Sequence, residues 1–464
     1  MTLKTNTIIG LIFLGLLAFV YFYEIKGGEE RRKEAEKSKR LVDFKDGEVQ
    51  RIELVRGDSA LVLTRGVEGW KLNSPVVDGA DQDAVERYLR NLQESEREKT
   101  IVDSAAVMDS EVVKYGLDTP RLSVLLQTED GVEKKVDFGI DSPTDRFTYA
   151  RTDGDNPEIF VLRAWRFDNL DKGVFDLRDR RVLAFSRDEV VELRRSGMGG
   201  EAVFARDEGK WQLRKPVAAL ADEDEINGLL DKLDNAEIEA FADEDPDSET
   251  LAVHGLDGSE QIRIELLVGQ DRAEKTLVIG AEDAEGRFYA RDASRHQIFL
   301  VDSTLVDHLG KSVDQLRDKE PLRFERDLIE RIILARDGEQ IFVAEKDTSG
   351  VWQLAEPKGS DAKSWKLNSF LTDLAQLKAT GFADQMAEGA ESVLDIELMS
   401  EGQTLIAARF NQAGESHYLK VQGAASIYVV DAEDFAELDL NLDDVVQAPK
   451  EPAQAASGGG TDGE

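Results

Sequence analysis

Apolar and polar residues fall into two rhythms along this chain, and the same succession of rhythms comes round three times. Strict alternation, as in Val49-Gln50-Arg51-Ile52-Glu53-Leu54 and Leu61-Val62-Leu63-Thr64, predicts half-buried strands, and Arg56-Gly57-Asp58 between them predicts a hairpin turn. A tryptophan strand comes next. Trp70-Lys71-Leu72 leads to Pro75, Trp211-Gln212-Leu213 to Pro216, and Trp352-Gln353-Leu354 to Pro357; the steps 211 − 70 and 352 − 211 are both 141. The rhythm then changes to an i, i+3, i+4, i+7 stripe, which marks one face of an amphipathic helix. Val85, Tyr88, Leu89 and Leu92 carry it first, Ile226, Leu229, Leu230 and Leu233 second, and Leu367, Phe370, Leu371 and Leu374 third. A fixed step across strand and helix predicts three copies of one unit.

A short helix should stop at Tyr115-Gly116-Leu117 and again at His254-Gly255-Leu256, because Gly just past a helix end takes the left-handed conformation at no steric cost. Four strands follow in each of these copies: Leu122–Gln127, Lys134–Ile140, Phe147–Arg151 and Ile159–Leu162, then Ile262–Val268, Lys275–Gly280, Phe288–Arg291 and Ile298–Val301. Leu177-Arg178-Asp179 reappears as Leu316-Arg317-Asp318 at the junction with the next copy. The third copy is shorter and lacks both the Tyr-Gly-Leu stop and the Leu-Arg-Asp junction, as expected of a terminal repeat. The fold class predicted is α+β: an N-terminal transmembrane helix, then three tandem α+β repeats, each an antiparallel sheet with an amphipathic helix. The boundaries are 1–40 for anchor and charged stalk, 41–183, 184–322 and 323–446 for the repeats, and 447–464 for a tail without apolar periodicity, predicted to be disordered.

The anchor is residues 5–23, a run without charge that nearly matches the hydrocarbon thickness of a bilayer, with Tyr21 and Tyr23 where interfacial aromatics belong. No small-residue cleavage motif follows it, so an uncleaved signal anchor is expected. Only Lys4 and the terminal amine precede the span, while Lys26, Arg31, Arg32, Lys33, Lys37, Lys39 and Arg40 follow it. A literal positive-inside count would keep the body in the cytoplasm, although long domains translocate despite such charges.

Charge changes the picture by exclusion. Acids outnumber bases 95 to 58, giving a net charge of −37, which repels nucleic acid and opposes docking of the body on an anionic lipid surface. A hydrophobic content of 41% supports packed cores. The absence of cysteine excludes disulfides, thiolate metal sites and cysteine nucleophiles. His254, His296, His308 and His417 include no i, i+4 pair, and no Walker A, G-x-S-x-G or H-E-x-x-H sequence occurs. The acids Asp243, Asp245 and Asp247 alternate like a calcium loop, but Ser248 and His254 stand where Gly and Glu are needed. Gly197-Met198-Gly199-Gly200-Glu201-Ala202 fits a loose dinucleotide pattern, yet it aligns with the hairpin turn of the first copy and is read as a turn. No cofactor, metal or catalytic residue is predicted.

Six residues remain as candidate ligand or junction contacts. Arg178 and Arg317 could grip a carboxylate or phosphate, though an ion pair fixing a repeat junction fits them better. Tyr149 and Arg151, and likewise Tyr289 and Arg291, alternate along a strand and so share a face, either a recognition surface or a solvated one. The three tryptophans are read as anchors of three small cores.

The short N-terminal span, Trp-x-Leu-x-x-x-Pro before a helix, Tyr-Gly-Leu-x-x-Pro, the strand ends Phe138-Gly139-Ile140 and Ile279-Gly280, the Tyr-x-Arg strand and the Leu-Arg-Asp junction together resemble a bacterial family called domain of unknown function 4340. The resemblance covers most of residues 1–446. Such proteins are often described as accessory to an ABC transporter of the gliding-motility type. The resemblance therefore implies a non-enzymatic protein of the bacterial inner membrane, single-pass, with its body extracytoplasmic and an ABC transporter permease and ATPase as partners. A structural spacer, and a hydrolase using carboxylates the sequence does not single out, are the alternatives.

Overall fold

The computed structural model describes residues 39–45, 47–103, 107–153, 157–358 and 360–447. The expected anchor, most of the stalk and the tail lie outside these residues. Among the described residues no helix is long and apolar enough to cross a membrane. The chain divides into two compact units, Met1–Arg180 and Arg181–Glu464.

The first unit holds one antiparallel sheet of nine strands. They are β1 (Val49–Arg56), β2 (Ser59–Gly66), β3 (Gly69–Ser74), β4 (Asp78–Gly79), β5 (Lys99–Val102), β6 (Leu122–Thr128), β7 (Glu133–Asp141), β8 (Phe147–Thr152) and β9 (Ile159–Arg163), and their order across the sheet is β4-β3-β2-β1-β6-β7-β8-β9-β5. The second unit opens with β10 (Val190–Gly197), β11 (Ala202–Asp207), β12 (Lys210–Lys215), β13 (Ala219–Leu220), β14 (Ala240–Asp243), β15 (Ile262–Val268), β16 (Ala273–Glu282), β17 (Phe288–Asp292) and β18 (Ile298–Val301). Their order is β13-β12-β11-β10-β15-β16-β17-β18-β14, the same arrangement strand for strand. The second unit also contains an eight-stranded sheet of β19 (Arg331–Arg336), β20 (Glu339–Lys346), β21 (Trp352–Glu356), β22 (Gly381–Ala383), β23 (Glu391–Ser400), β24 (Gln403–Ala413), β25 (Ser416–Val421) and β26 (Ile427–Val430). Its order, β21-β20-β19-β23-β24-β25-β26-β22, lacks only a counterpart of the two-residue β4 and β13.

Each sheet buries one face against its own helix. The helices Gln82–Glu94, Glu223–Asp234 and Ser364–Gln376 bury the predicted stripe, with Leu89 alone left at the margin. Asp81 and Asp222 cap the first two, their carboxylates accepting the amides of Ala84 and of Asp224 and Glu225. Trp70, Trp211 and Trp352 are all buried in the cores beneath those helices. The first helical side chain holds the tryptophan strand directly: Gln82 accepts the Trp70 amide at 2.7 Å and Glu223 accepts the Trp211 amide at 2.6 Å. In the third sheet Trp352 Nε1 donates to Asn368 instead. Pro75, Pro216 and Pro357 all follow cis peptide bonds.

The opposite faces of the first two sheets carry the short helices Asp109–Lys114 and Ser248–Val253. Gly116 and Gly255 end them at φ +68° and +66°, as the sequence predicts. Here the Phe-Gly-Ile and Ile-Gly strand ends find their reason. A Cβ on Gly139 would lie 2.1 Å from the Tyr115 carbonyl oxygen, and one on Gly280 2.0 Å from that of His254. Only glycine admits the backbone bonds made there, Ile140 to Tyr115 and Ala281 to His254. No such helix is found between β22 and β23 among the described residues.

Candidate functional site

The six residues singled out by sequence occupy two kinds of place. Tyr149 lies under the short helix, its ring 4.4 Å from that of Tyr115, and Tyr289 stacks on His254 at 3.7 Å. Both belong to small apolar clusters closed by Leu117 and Ile159 or by Leu256 and Ile298. Arg151 donates to Asp137 at 3.1 Å; that carboxylate is buried and also takes the Ser123 hydroxyl and the Lys135 ammonium. Arg291 donates to the Arg295 carbonyl. The tyrosines fasten the sheet to its cover, while Arg151 pairs across neighbouring strands and Arg291 ties down the turn that follows its own strand.

Arg178 and Arg317 belong to the far edge of the same sheets. Ala80 bridges Arg178 and Ala221 bridges Arg317, while the amides of Asp81 and Asp222 donate to the carbonyls of Leu177 and Leu316. Each Leu-Arg-Asp segment therefore pairs with the entry of the helix in its own sheet's segment. The third sheet has the same pairing at Ala362–Val446, where Val445-Val446-Gln447 stands in place of Leu-Arg-Asp. The edge strand β4 and the inner strand β8 are six strand spacings apart, on the order of 29 Å at ~4.8 Å each. The arginines and tyrosines of one sheet thus form no common site.

Both arginines make polar contacts at the sheet edge. Arg178 is 2% exposed and donates to Asp78 at 2.7 Å. Arg317 donates to Asp314 at 3.0 Å and to the Ser426 hydroxyl at 2.8 Å, with its guanidinium carbon 3.5 Å from the Phe382 ring centre. Asp318 instead takes Arg323 at 2.6 Å. Arg317 thereby ties the edge of the second sheet to the end strands β22 and β26 of the third, reinforced by the Ala379 amide donating to the Lys319 carbonyl.

Around this seam is a cavity of about 300 Å³ lined by Ala219, Leu220, Asp318, Arg323, Ser426 and Tyr428 among others. Burial pushes the Tyr428 phenol above its usual pKa, and the negative charge of Asp318 adds to the effect. The phenol accordingly stays a hydrogen-bond donor. With alanine walls, a phenol, a hydroxyl and an ion pair, the seam has the chemistry of recognition, with Asp318 already committed to Arg323. Among the described residues no group of three His, Asp or Glu side chains is placed to hold a metal ion.

One device was not among the residues singled out from the sequence. An arginine from the first hairpin of each sheet reaches the end of a later helix. Arg56 pairs with Asp171 at 2.6 Å and donates to the Lys172 carbonyl. Arg336 pairs with Asp439 and Asn441. Arg195, 3% exposed, meets no carboxylate there, because the position of Asp171 and Asp439 is Gly310. Its guanidinium is held by the carbonyls of Gly199, Gly200, Leu309 and Lys311, and burial lowers its pKa to about 10. Arg195 and Arg336 keep the repeat step (336 − 195 = 141), whereas Arg56 is two residues off it (195 − 56 = 139), so the 141-residue step links only the second and third of these arginines.

A family model described as domain of unknown function (DUF4340) matches residues 70–216 and again 211–397. The two matches begin at Trp70 and Trp211, one repeat step apart. No curated protein and no solved structure matches the chain.

Proposed function

Because the chain belongs to the DUF4340 family, for which no activity is described, we propose a function from its own residues: a non-enzymatic, membrane-tethered scaffold of three copies of one module. The observation that carries this reading is the shared strand order of the three sheets, joined to tryptophan strands and helices that recur every 141 residues. Residues 5–23 would tether it in the inner membrane with the body outside the cytoplasm. The modules would then present their surface to a transporter, with an ABC permease and ATPase as the partners the family resemblance suggests. The seam cavity at Asp318, Arg323 and Tyr428 favours a binding role over a plain spacer, since a spacer has no use for a polar hollow between its second and third sheets.

Two experiments test it. The chain has no cysteine, so Glu415→Cys, at an exposed turn, gives a single label site. A membrane-impermeant maleimide should label it in spheroplasts without lysis; labelling only after lysis would reverse the topology. Crosslinking in cells, followed by purification of the full chain in neutral detergent, should recover permease and ATPase subunits. Recovery with neither removes the transporter role.

A further inference from the structure

The first sheet carries a second hollow, of about 410 Å³, between the start of β1, the β2–β3 hairpin and the outer side of the helix Gln82–Glu94. Its apolar wall is Phe44, Val49, Trp70 and Leu89; its described charged residues are Lys45, Arg65, Arg90 and Glu86. That volume lies within the range of small-molecule sites. A cluster of three cations is a local exception in a chain with net charge −37. Arg65 donates to the Gly47 carbonyl at 3.3 Å and lies 6.0 Å from the Trp70 ring centre. Among the described residues Lys45, Arg65 and Arg90 form no ion pair.

The corresponding places in the other two sheets carry a different pairing. One repeat step beyond Arg90 stands Asp231, which pairs with Arg187; a further step brings Thr372, which accepts from Arg326 at 2.6 Å. There an arginine from the short turn before the first strand is tied to the helix. In the first sheet the helix offers a third cation at that position, so the same groove is left basic over an apolar wall. We propose that this hollow binds an anionic amphiphile, a phosphate or carboxylate group carried on an apolar chain or ring. The oxyanion meets the Arg65 and Arg90 guanidinium forks and the Lys45 ammonium, and the apolar body lies against Trp70, Phe44 and Leu89.

Calorimetric titration of the full chain in a neutral maltoside detergent tests this with three probes: hexyl phosphate, inorganic phosphate and hexanol. Hexyl phosphate should bind at least tenfold more tightly than either half alone. Arg90→Asp, which installs the residue found in the second helix, should weaken it at least tenfold, and Lys45→Gln should weaken it several-fold. Lys99→Asp, an equal charge change on the exposed edge strand β5, should leave it unchanged. Competition by dihexanoyl phosphatidylglycerol would identify a lipid diester headgroup as the natural group; no competition would identify a free monoester or carboxylate. The proposal is overturned if inorganic phosphate binds as well as hexyl phosphate, if Arg90→Asp and Lys99→Asp behave alike, or if nothing binds at millimolar concentration. Melting curves of the variants separate lost binding from lost fold, because Lys45 and Arg90 are exposed.

Discussion

Arg56 and Arg336 each meet a carboxylate at a helix end, and Arg195 meets a glycine, so Gly310→Asp should supply the missing charge. The depression of the Arg195 pKa from 12.5 to about 10 has burial as its cause. At about 1.4 kcal/mol per unit this sets an upper limit of roughly 3 kcal/mol, which the four backbone carbonyls offset in part. A carboxylate in contact should recover part of it, about 2 kcal/mol. Against this stand two terms. An acid at a helix C-terminus opposes the helix dipole by about 0.3–1 kcal/mol. The new Cβ also meets Met198 Sδ at 2.8 Å and displaces that flexible side chain, at well under about 1 kcal/mol. Gly310 has φ −83°, so no left-handed strain arises. The expected net gain is about 1 kcal/mol. Gly310→Asn has the same shape without the charge and should be neutral or destabilising. Urea unfolding of the parent and the two variants at neutral pH, together with hydrogen exchange at the amides of residues 310 and 200, measures the difference. If the Gly310→Asp protein is no more stable than the Gly310→Asn protein at low salt, the four backbone carbonyls already satisfy the cation, and the account of Arg195 is wrong.

Arg317→Met should cost about 1–3 kcal/mol, since it leaves the buried Ser426 hydroxyl without its donor; exchange of the Ala379 amide should rise, and unchanged protection there would show that Arg317 does not hold the seam. Trp211→Ala should cost about 3–5 kcal/mol, read as a lower denaturation midpoint of the second sheet; a cost under about 1 kcal/mol would remove it from the core. His417 stacks on Phe435 at 4.1 Å, and burial lowers its pKa despite the nearby acids Asp431 and Asp439. The unfolded chain then binds the proton first, so this contribution to stability is full above about pH 6.5 and shrinks as pH falls toward the folded pKa. Thermal melts of the parent and His417→Phe should therefore converge between about pH 7.5 and 5.5; parallel curves would contradict the sign.

Strand alternation and the helical stripe are local patterns repeated at one spacing, which is why Trp70, Trp211 and Trp352, the helices that cover them and the stops at Gly116 and Gly255 were legible from residues alone. Four features were not. The short edge strands β5, β14 and β22 are too brief to show a period, and they pair with β9, β18 and β26, segments distant in the chain. The glycines at 139 and 280 look like ordinary strand ends until the helix stop is brought against them. The acids that Arg178 and Arg317 reach, Asp78 on the paired edge strand and Asp314 three residues back, belong to no repeated motif. Ser426 and Phe382, which complete the seam, come from the other sheet and share no motif with it.

The Leu-Arg-Asp segments have a consequence for how such a chain can lengthen. Every strand of the first sheet, and the segment that seals its edge, comes from one uninterrupted stretch ending before Arg180, and the second sheet is sealed in the same way by Leu316–Asp318. No backbone pairing of the first sheet would be lost if the gene were cut there, and none would be lacking if the stretch were duplicated. Such a protein can gain or shed length in whole increments, with its ancestry legible as a count.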